Sequence, residues 1–361
     1  MKYPWFKSLH NTKLFSKNII QSVTNKKMTM NHKSYELENK IKKILNVKYV
    51  VLTTSGTSAL MMATIASNIK SGDIVAAPNL TWVATTNPAR IMGGKFILVD
   101  TKKNSQQINF SELNKKIKKY RPKLVYLVHL NGQPCYNRDF DKLKKKYKFF
   151  VIEDAAQAFL SKRSNSSACG TKYDVGCFSL SITKPIHMIY GGFCTTNSKK
   201  IADKLISIRN NGVNSKPENA RLEIASSMGL NLKPSDIHSS VGLENLRNIN
   251  LHKNNLRKLH NFYAKYLKNK KIKFLNLKSK GITPCYNEAI IDNRDNFIKF
   301  CNENSIGLHL GIRCLSETNI KHIKDNFQNS IYLSKNLVRL PSGPGYKISE
   351  IKKVIKILNK Y

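Results

Sequence analysis

Short apolar runs alternating with helix-period segments leave few folds open to this chain. Residues 34–46 place Leu37, Ile41, Ile44 and Leu45 on one face, the pattern of an amphipathic helix, with Ser34 in position to cap it. A β-branched run at 49–53 (YVVLT) follows, then Ser55-Gly56-Thr57 and an apolar helix over 58–69. Further strands are expected at 74–77, 95–99, 124–129 and 149–152, with helical segments between them. Pro88 should bend a helix starting near Thr81 or mark an irregular turn. This alternation predicts an α/β domain with a mostly parallel sheet, because parallel strands need crossover connections. Two shorter strands are expected at 175–180 and 193–196, a long helix at 235–267, and a closing amphipathic helix at 349–358. At 361 residues the chain exceeds one domain of roughly 100–200 residues. The pattern suggests a large domain over 1–240, N-terminal segment included, and a smaller α+β domain over 241–361.

Composition narrows the function. Apolar residues are 41% of the chain, enough for a sizeable core and too many for a disordered chain. No apolar run approaches the roughly 20 residues that cross a bilayer. The opening MKYPWFKSLHNTKLF lacks the apolar centre of a secretory signal. Seven cysteines, an odd number with no C-x-x-C pair and no His cluster at metal-ligand spacing, fit reduced thiols in a cytoplasmic protein. They do not fit a disulfide framework or a zinc site. The 62 Lys and Arg against 22 Asp and Glu give a net charge of +40. A polyanion binder is one reading. The charge is almost all Lys, however, spread over helical segments such as 115–119 and 142–148, with no Arg cluster, basic tail or basic-aromatic motif. That spread favours a chain-wide compositional bias over nucleic-acid binding, and the field would still draw anionic substrates at low salt.

Open α/β sheets bind ligands beyond the carboxyl ends of their strands, so polar residues there carry the chemistry. Ser55-Gly56-Thr57 joins a strand to a helix. Free N–H groups and the positive dipole end suit a phosphate, and glycine permits close approach. By itself the motif reads more readily as an ordinary capped turn. Glu153-Asp154 ends a strand, where acids are usually solvated. Lys184 follows the Ser/Thr-punctuated apolar run CFSLSIT and precedes Gly191-Gly192. Most lysines lie on surfaces, but one held in a partly desolvated site can lose its proton and form a Schiff base. Together, in this order, a phosphate cradle, an acid and a lysine describe a pyridoxal phosphate (PLP) site. The acid keeps the pyridine nitrogen protonated and the lysine holds the aldehyde.

On these residues the chain resembles the fold-type I PLP enzymes of the nucleotide-sugar aminotransferase (DegT/StrS-type) group. The likeness runs from about Ser16 to the end. It is carried by SGTSAL at 55–60, PNLTWVAT at 78–85, VHLNGQP at 128–134, IEDAAQA at 152–158, DVGCFS at 174–179, Thr183-Lys184 and GLNL at 229–232. The resemblance implies transfer of an amino group from an amino acid, glutamate in the family, to C3 or C4 of a nucleotide-linked keto-sugar. Such reactions serve amino-sugar and surface-polysaccharide biosynthesis. Lys184 would carry PLP and move the proton, Asp154 would face the pyridinium nitrogen, Gln157 the ring hydroxyl, and Trp82 the ring face. The Gly56 and Thr57 N–H groups and the Ser179 hydroxyl would hold the phosphate. Asn231 would reach the phosphate of a neighbouring subunit, making a homodimer the smallest active unit. Without their neighbours, Trp82 would read as a core aromatic, Asn231 as a turn residue and Ser179 as a strand hydroxyl.

The chain also departs from the family pattern. Ser181 stands where an aromatic or His is common, and Ile189-Tyr190 precede Gly191-Gly192 in place of Gly-Glu. Leu232-Lys233 follow Asn231 in place of an aromatic and an Arg, and the region of Gly311, Ile312, Arg313 and Cys314 lacks the His-Tyr-Pro loop. The cofactor half keeps its pattern and the sugar half is altered; a diphosphate would call for a basic cleft, from Lys233 or Arg313. Two rivals remain. A same-fold sugar dehydratase would carry His in place of Lys184. A catalytically silent PLP-fold binding protein would suit the changes at Tyr190, Lys233 and Arg313.

Overall fold

The structure is a computed structural model and describes residues 1–361 apart from 10, 11, 27, 164–166, 214–224, 226 and 278. Two helices lead in, α1 (Thr12–Thr24) and α2 (His32–Leu45). There follow β1 (Tyr49–Thr53), α3 (Gly56–Ala66), β2 (Ile74–Pro78), the short α4 (Asn87–Ile91), β3 (Lys95–Val99) and α5 (Phe110–Tyr120). Next come β4 (Leu124–Val128), α6 (Arg138–Tyr147), β5 (Phe150–Asp154), β6 (Val175–Ser179), β7 (Gly192–Thr196) and α7 (Lys199–Arg209). Helices α8 (Asp236–Arg247) and α9 (Ile249–Tyr266) lead to β8 (Lys273–Phe274), β9 (Asn287–Ile290), α10 (Arg294–Glu303) and β10 (His309–Leu310). The chain closes with α11 (Gln328–Asn336), β11 (Leu337–Leu340) and α12 (Ile348–Leu358).

Seven strands form one sheet in the order β1-β7-β6-β5-β4-β2-β3. Strands β2 to β6 run parallel, and β7 runs antiparallel to both neighbours. The sheet is covered on both faces, which is why its strands read as continuous apolar runs. Helix α3 is apolar almost all round and is buried through Ala59, Leu60, Met62, Ala63 and Ala66. Helices α5 and α6 bury Leu113, Ile117, Phe140 and Leu143 and turn Lys115, Lys118, Lys119, Lys142, Lys145 and Lys146 outward. The lysine runs are thus solvated helix faces. A second, antiparallel sheet has the order β10-β11-β9-β8.

Two local expectations are corrected, and a third is decided between its alternatives. Ser34 is not the cap of α2; Asn31 is, and the Ser34 hydroxyl is buried against Asp236 at 2.7 Å. The Asp236 carboxylate also accepts the N–H groups of Asn31, Lys33 and Ser34, so an acid from α8 serves the helix N-terminus. At Pro88 the irregular turn is what forms, not a bent helix: a 3-10 turn at Val83–Thr85 comes first, and the proline lies in the first turn of α4, where a missing N–H is harmless. The stretch 235–267 is two helices that part at Asn248, not one.

Packing changes hands inside α9. Leu243, Leu246 and Leu256 join a core cluster of the large sheet, whereas Leu259 and Tyr263 join that of the small one. The first residues of the chain lie on the small sheet as well. Tyr3 bridges to Ile306 and Phe6 to Ser342, and Tyr3 is buried in the same cluster. Leu80 and Leu130 pack on Ile290, Ile312 and Leu337, which fixes one unit against the other.

Candidate active site

A cavity of about 390 Å³ opens where the carboxyl ends of β1, β4, β5 and β6 meet the small sheet. From the large sheet, Gly56, Thr57, Trp82, Asp154, Gln157, Ser179 and Lys184 all line it, although they are spread over some 130 residues of sequence. Seven of the eight site residues expected from the sequence therefore converge.

The floor is the N-terminus of α3. The Ser55 hydroxyl caps the Ser58 N–H at 3.0 Å, leaving those of Gly56 and Thr57 at the head of the helix. Gly56 is required: a Cβ there would lie 2.8 Å from the Ser179 Cβ. A Cβ on Gly192 would lie 2.4 Å from the Ser55 carbonyl oxygen. Two glycines thus hold the helix head against Ser179, whose hydroxyl is 3.4 Å from that of Ser181.

Asp154 ends β5 and is buried. The Thr85 hydroxyl donates to its Oδ2 at 2.7 Å and the Ala156 N–H to its Oδ1 at 3.1 Å. Burial nevertheless holds the carboxyl above the usual carboxylate range, against these two donors and the charge of Lys184. Its neighbour Glu153 is the opposite case. Burial raises its pKa, but His129, Tyr136 and the Tyr173 N–H together hold it below the usual range. The His129 Nε2 meets Glu153 at 3.0 Å, and the Cys135 N–H donates to Nδ1 at 3.0 Å, which assigns the proton to Nε2. Glu153 is therefore a saturated structural acid, and Asp154 is the one left facing the cavity.

Lys184 is held by a residue that no local motif marks. Its Nζ donates to the Tyr286 hydroxyl at 3.1 Å, and that hydroxyl donates to the Thr183 carbonyl at 3.4 Å. Burial works to lower the Lys184 pKa, but the Tyr286 phenol and Cys285 thiol outweigh it, so the amine sits above its usual value. Burial alone does not free this amine, contrary to the sequence expectation. Trp82 is 60% exposed at the cavity mouth, so it is not the core aromatic that it would be without its neighbours. The Gln157 Oε1 accepts the Asn131 N–H at 2.8 Å, which leaves its amide NH2 available to a ligand.

Asn231 is the residue that does not join the others. It is exposed, bridges to Asn210, and lies outside the cavity of its own chain. Lys233 and Arg313, the expected sources of a basic cleft, also lie outside that cavity; Arg313 lines a separate groove beside Glu317. Besides Lys184, Arg339 of β11 is a cation that lines the site, and Trp5, Tyr286 and His309 line it as well. All four come from parts of the chain more than 100 residues from Lys184, and no local motif marks them. Thr85 was within reach, since it lies in the run that contains Trp82.

The donor set fits PLP: N–H groups and a hydroxyl for a phosphate, a buried carboxylate for a ring nitrogen, an amine for an aldehyde. The chain is 31% identical over 230 residues to the GDP-perosamine synthase of Escherichia coli O157:H7, a stretch that is 64% of this chain and 62% of that one. It thus spans less than two thirds of that relative's length. Its fold matches that of a Helicobacter pylori aminotransferase involved in the biosynthesis of pseudoaminic acid, with a TM-score of 0.90 at 19% identity, over 100% of this chain and 99% of that one. It equally matches the Escherichia coli GDP-4-keto-6-deoxy-D-mannose-3-dehydratase with bound hydrated PLP, with a TM-score of 0.89 at 20% identity, over 99% of each. At such identities the likeness is one of fold. The family assignment comes from the match over residues 10–359: the chain belongs to the DegT/DnrJ/EryC1/StrS aminotransferase family.

Proposed function

We propose that the chain is a PLP-dependent aminotransferase that moves an amino group from an amino acid, glutamate foremost, to C3 or C4 of a nucleotide-linked keto-sugar. It would act in the cytoplasm, in amino-sugar biosynthesis. The observation that carries this reading is Lys184 and a buried Asp154 facing one cavity above the head of α3. PLP, when bound, supplies an aldehyde that condenses with amines and a ring that accepts electrons from the adjacent C–H bond. The protein supplies the rest. Gly56 and Thr57 N–H groups and the Ser179 hydroxyl anchor a phosphate, and Asp154 holds a negative charge at the ring nitrogen. Trp82 covers the ring face, and Gln157 offers its NH2 to the ring hydroxyl. Lys184 holds the cofactor and then takes and returns the substrate proton.

The exposure of Asn231, away from its own cavity, supports a site shared between two subunits of a homodimer. The presence of Lys184 argues against the dehydratase reading despite the shared fold. The intact Lys184, Asp154 and phosphate cradle argue against a silent binding protein. Lys184→Ala should abolish both the visible absorbance of the protein-bound cofactor and amino transfer, read by mass shift across a panel of nucleotide keto-sugars with glutamate. Undiminished transfer by that variant would remove the mechanism.

A further inference from the structure

We propose that the Tyr286 hydroxyl is the acceptor that holds the freed Lys184 amine while it takes the substrate proton and returns it; this rests on the aminotransferase reading above. Among the described residues that hydroxyl is the one hydrogen-bond partner of the Lys184 Nζ, at 3.1 Å. The phenol proton is committed elsewhere, to the Thr183 carbonyl at 3.4 Å, so the oxygen meets the amine as an acceptor. Nζ lies 5.6 Å from the ring centroid and thus meets the hydroxyl rim. A face of the ring is taken by Arg339, whose Cζ is 4.1 Å from the same centroid.

The phenol is fixed in advance of any substrate. The Asn131 side chain brackets the Tyr286 main chain: its Oδ1 accepts the N–H at 2.8 Å, and its Nδ2 donates to the carbonyl at 3.0 Å. Asn131 follows β4 of the large sheet, so a phenol carried by the small unit is tied to the unit that carries Lys184. Trp5 and Phe6 pack on the ring, at 5.9 and 6.2 Å between centroids. The step served is a proton transfer. The substrate C–H bond breaks, its electron pair stays with the substrate and the cofactor joined to it, and a new N–H bond turns the Lys184 amine into an ammonium. The reverse delivers that proton to the neighbouring carbon. A lysine stem is long and flexible, so an unheld amine loses its aim. An acceptor on one N–H narrows where the lone pair can point, and then steadies the ammonium through a charge-assisted bond. Burial works to lower the Lys184 pKa, and Tyr286 is the largest influence raising it.

Tyr286→Phe removes the oxygen and keeps the ring on which Arg339 stacks. Two measurements read the change. In the first, PLP is added to cofactor-free protein and the rate at which the visible band appears is followed against pH, since only the neutral amine attacks the aldehyde. The midpoint of that profile should fall by about one pH unit in the variant, because the acceptor that favours the ammonium is gone. In the second, PLP-loaded protein is mixed with L-glutamate or α-deuterated L-glutamate, with no nucleotide sugar present, and loss of the band is followed. The limiting rate should fall on the order of 10- to 100-fold, with a deuterium effect at least as large as in wild type and a half-saturating concentration within about twofold. Tyr286→3-fluorotyrosine, a weaker acceptor of nearly the same shape, should fall between, and it decides the matter if the phenylalanine variant does not fold. Either an unmoved midpoint or an unchanged limiting rate overturns the proposal. So does a loss confined to the half-saturating concentration, or one in which the deuterium effect disappears, since either marks a structural role. A wild type that reacts with glutamate yet aminates no keto-sugar refutes the proposed function while leaving the Tyr286 comparison decisive. A wild type whose band no amino acid alters overturns both.

Discussion

Asp154 shows how one residue trades stability for a task. A carboxyl buried with two donors and held above its usual range opposes folding once it ionises. The folded-state value is raised, so its stabilising contribution is complete below the unfolded carboxyl value and is lost as pH rises through the folded one. Asp154→Asn removes the charge and keeps the shape. The cofactor-free variant should be more stable than wild type at pH 7, by on the order of 1 kcal/mol. The gain should shrink as pH falls toward 4 in thermal melts. Amino transfer by the same variant should drop on the order of 100-fold or more, since a preorganised charge opposite the ring is lost. A variant that is both less stable and fully active would contradict this assignment.

At the scale of elements, α9 packs on both sheets and carries two acid-sensitive histidines. His252 and His260 are both buried in it, and burial pushes each pKa down to about 4. The His260 Nε2 accepts the Leu277 N–H at 2.9 Å, so its proton sits on Nδ1, facing Asn287. A second proton would set N–H against N–H. Unfolded histidines bind protons near pH 6.5, so stability is full above that value and is lost as pH falls from about 6.5 to about 4. Each proton taken up on unfolding steepens that fall by about 1.4 kcal/mol per pH unit. His260→Gln should flatten the slope of unfolding free energy between pH 6.5 and 4.5, measured by denaturant titration. A slope equal to that of wild type would place the proton uptake elsewhere.

For the whole molecule, the question is whether one chain completes the site. Asn231 lies outside the cavity that holds the other seven residues. A site shared across a two-fold axis makes a quantitative demand. Lys184→Ala and Asn231→Ala subunits, each weak or inactive alone, should recover about a quarter of wild-type transfer when unfolded, mixed equally and refolded. Half of the dimers would be mixed, and each mixed dimer would hold one intact site. No recovery, with dimers confirmed by sedimentation, would show that each chain builds its site alone.

By itself the sequence determined what local pattern can encode. The parallel sheet is legible because buried strands are continuous apolar runs. The floor of the site is legible because a glycine turn, an acid and a lysine each end or follow a strand, where an α/β sheet must bind. The role of Ser34 and the break at Asn248 escape the local pattern because they depend on what packs against them, such as Asp236 on the head of α2. Only the tertiary structure could decide the roof. Trp5, Tyr286, His309 and Arg339 carry no motif, and their meaning arises because the small sheet is pressed over the strand ends. The hold of Tyr286 on Lys184 exists only once Asn131 brackets its main chain and Arg339 stacks on its ring. That is a property of contacts between distant segments, which no local pattern records.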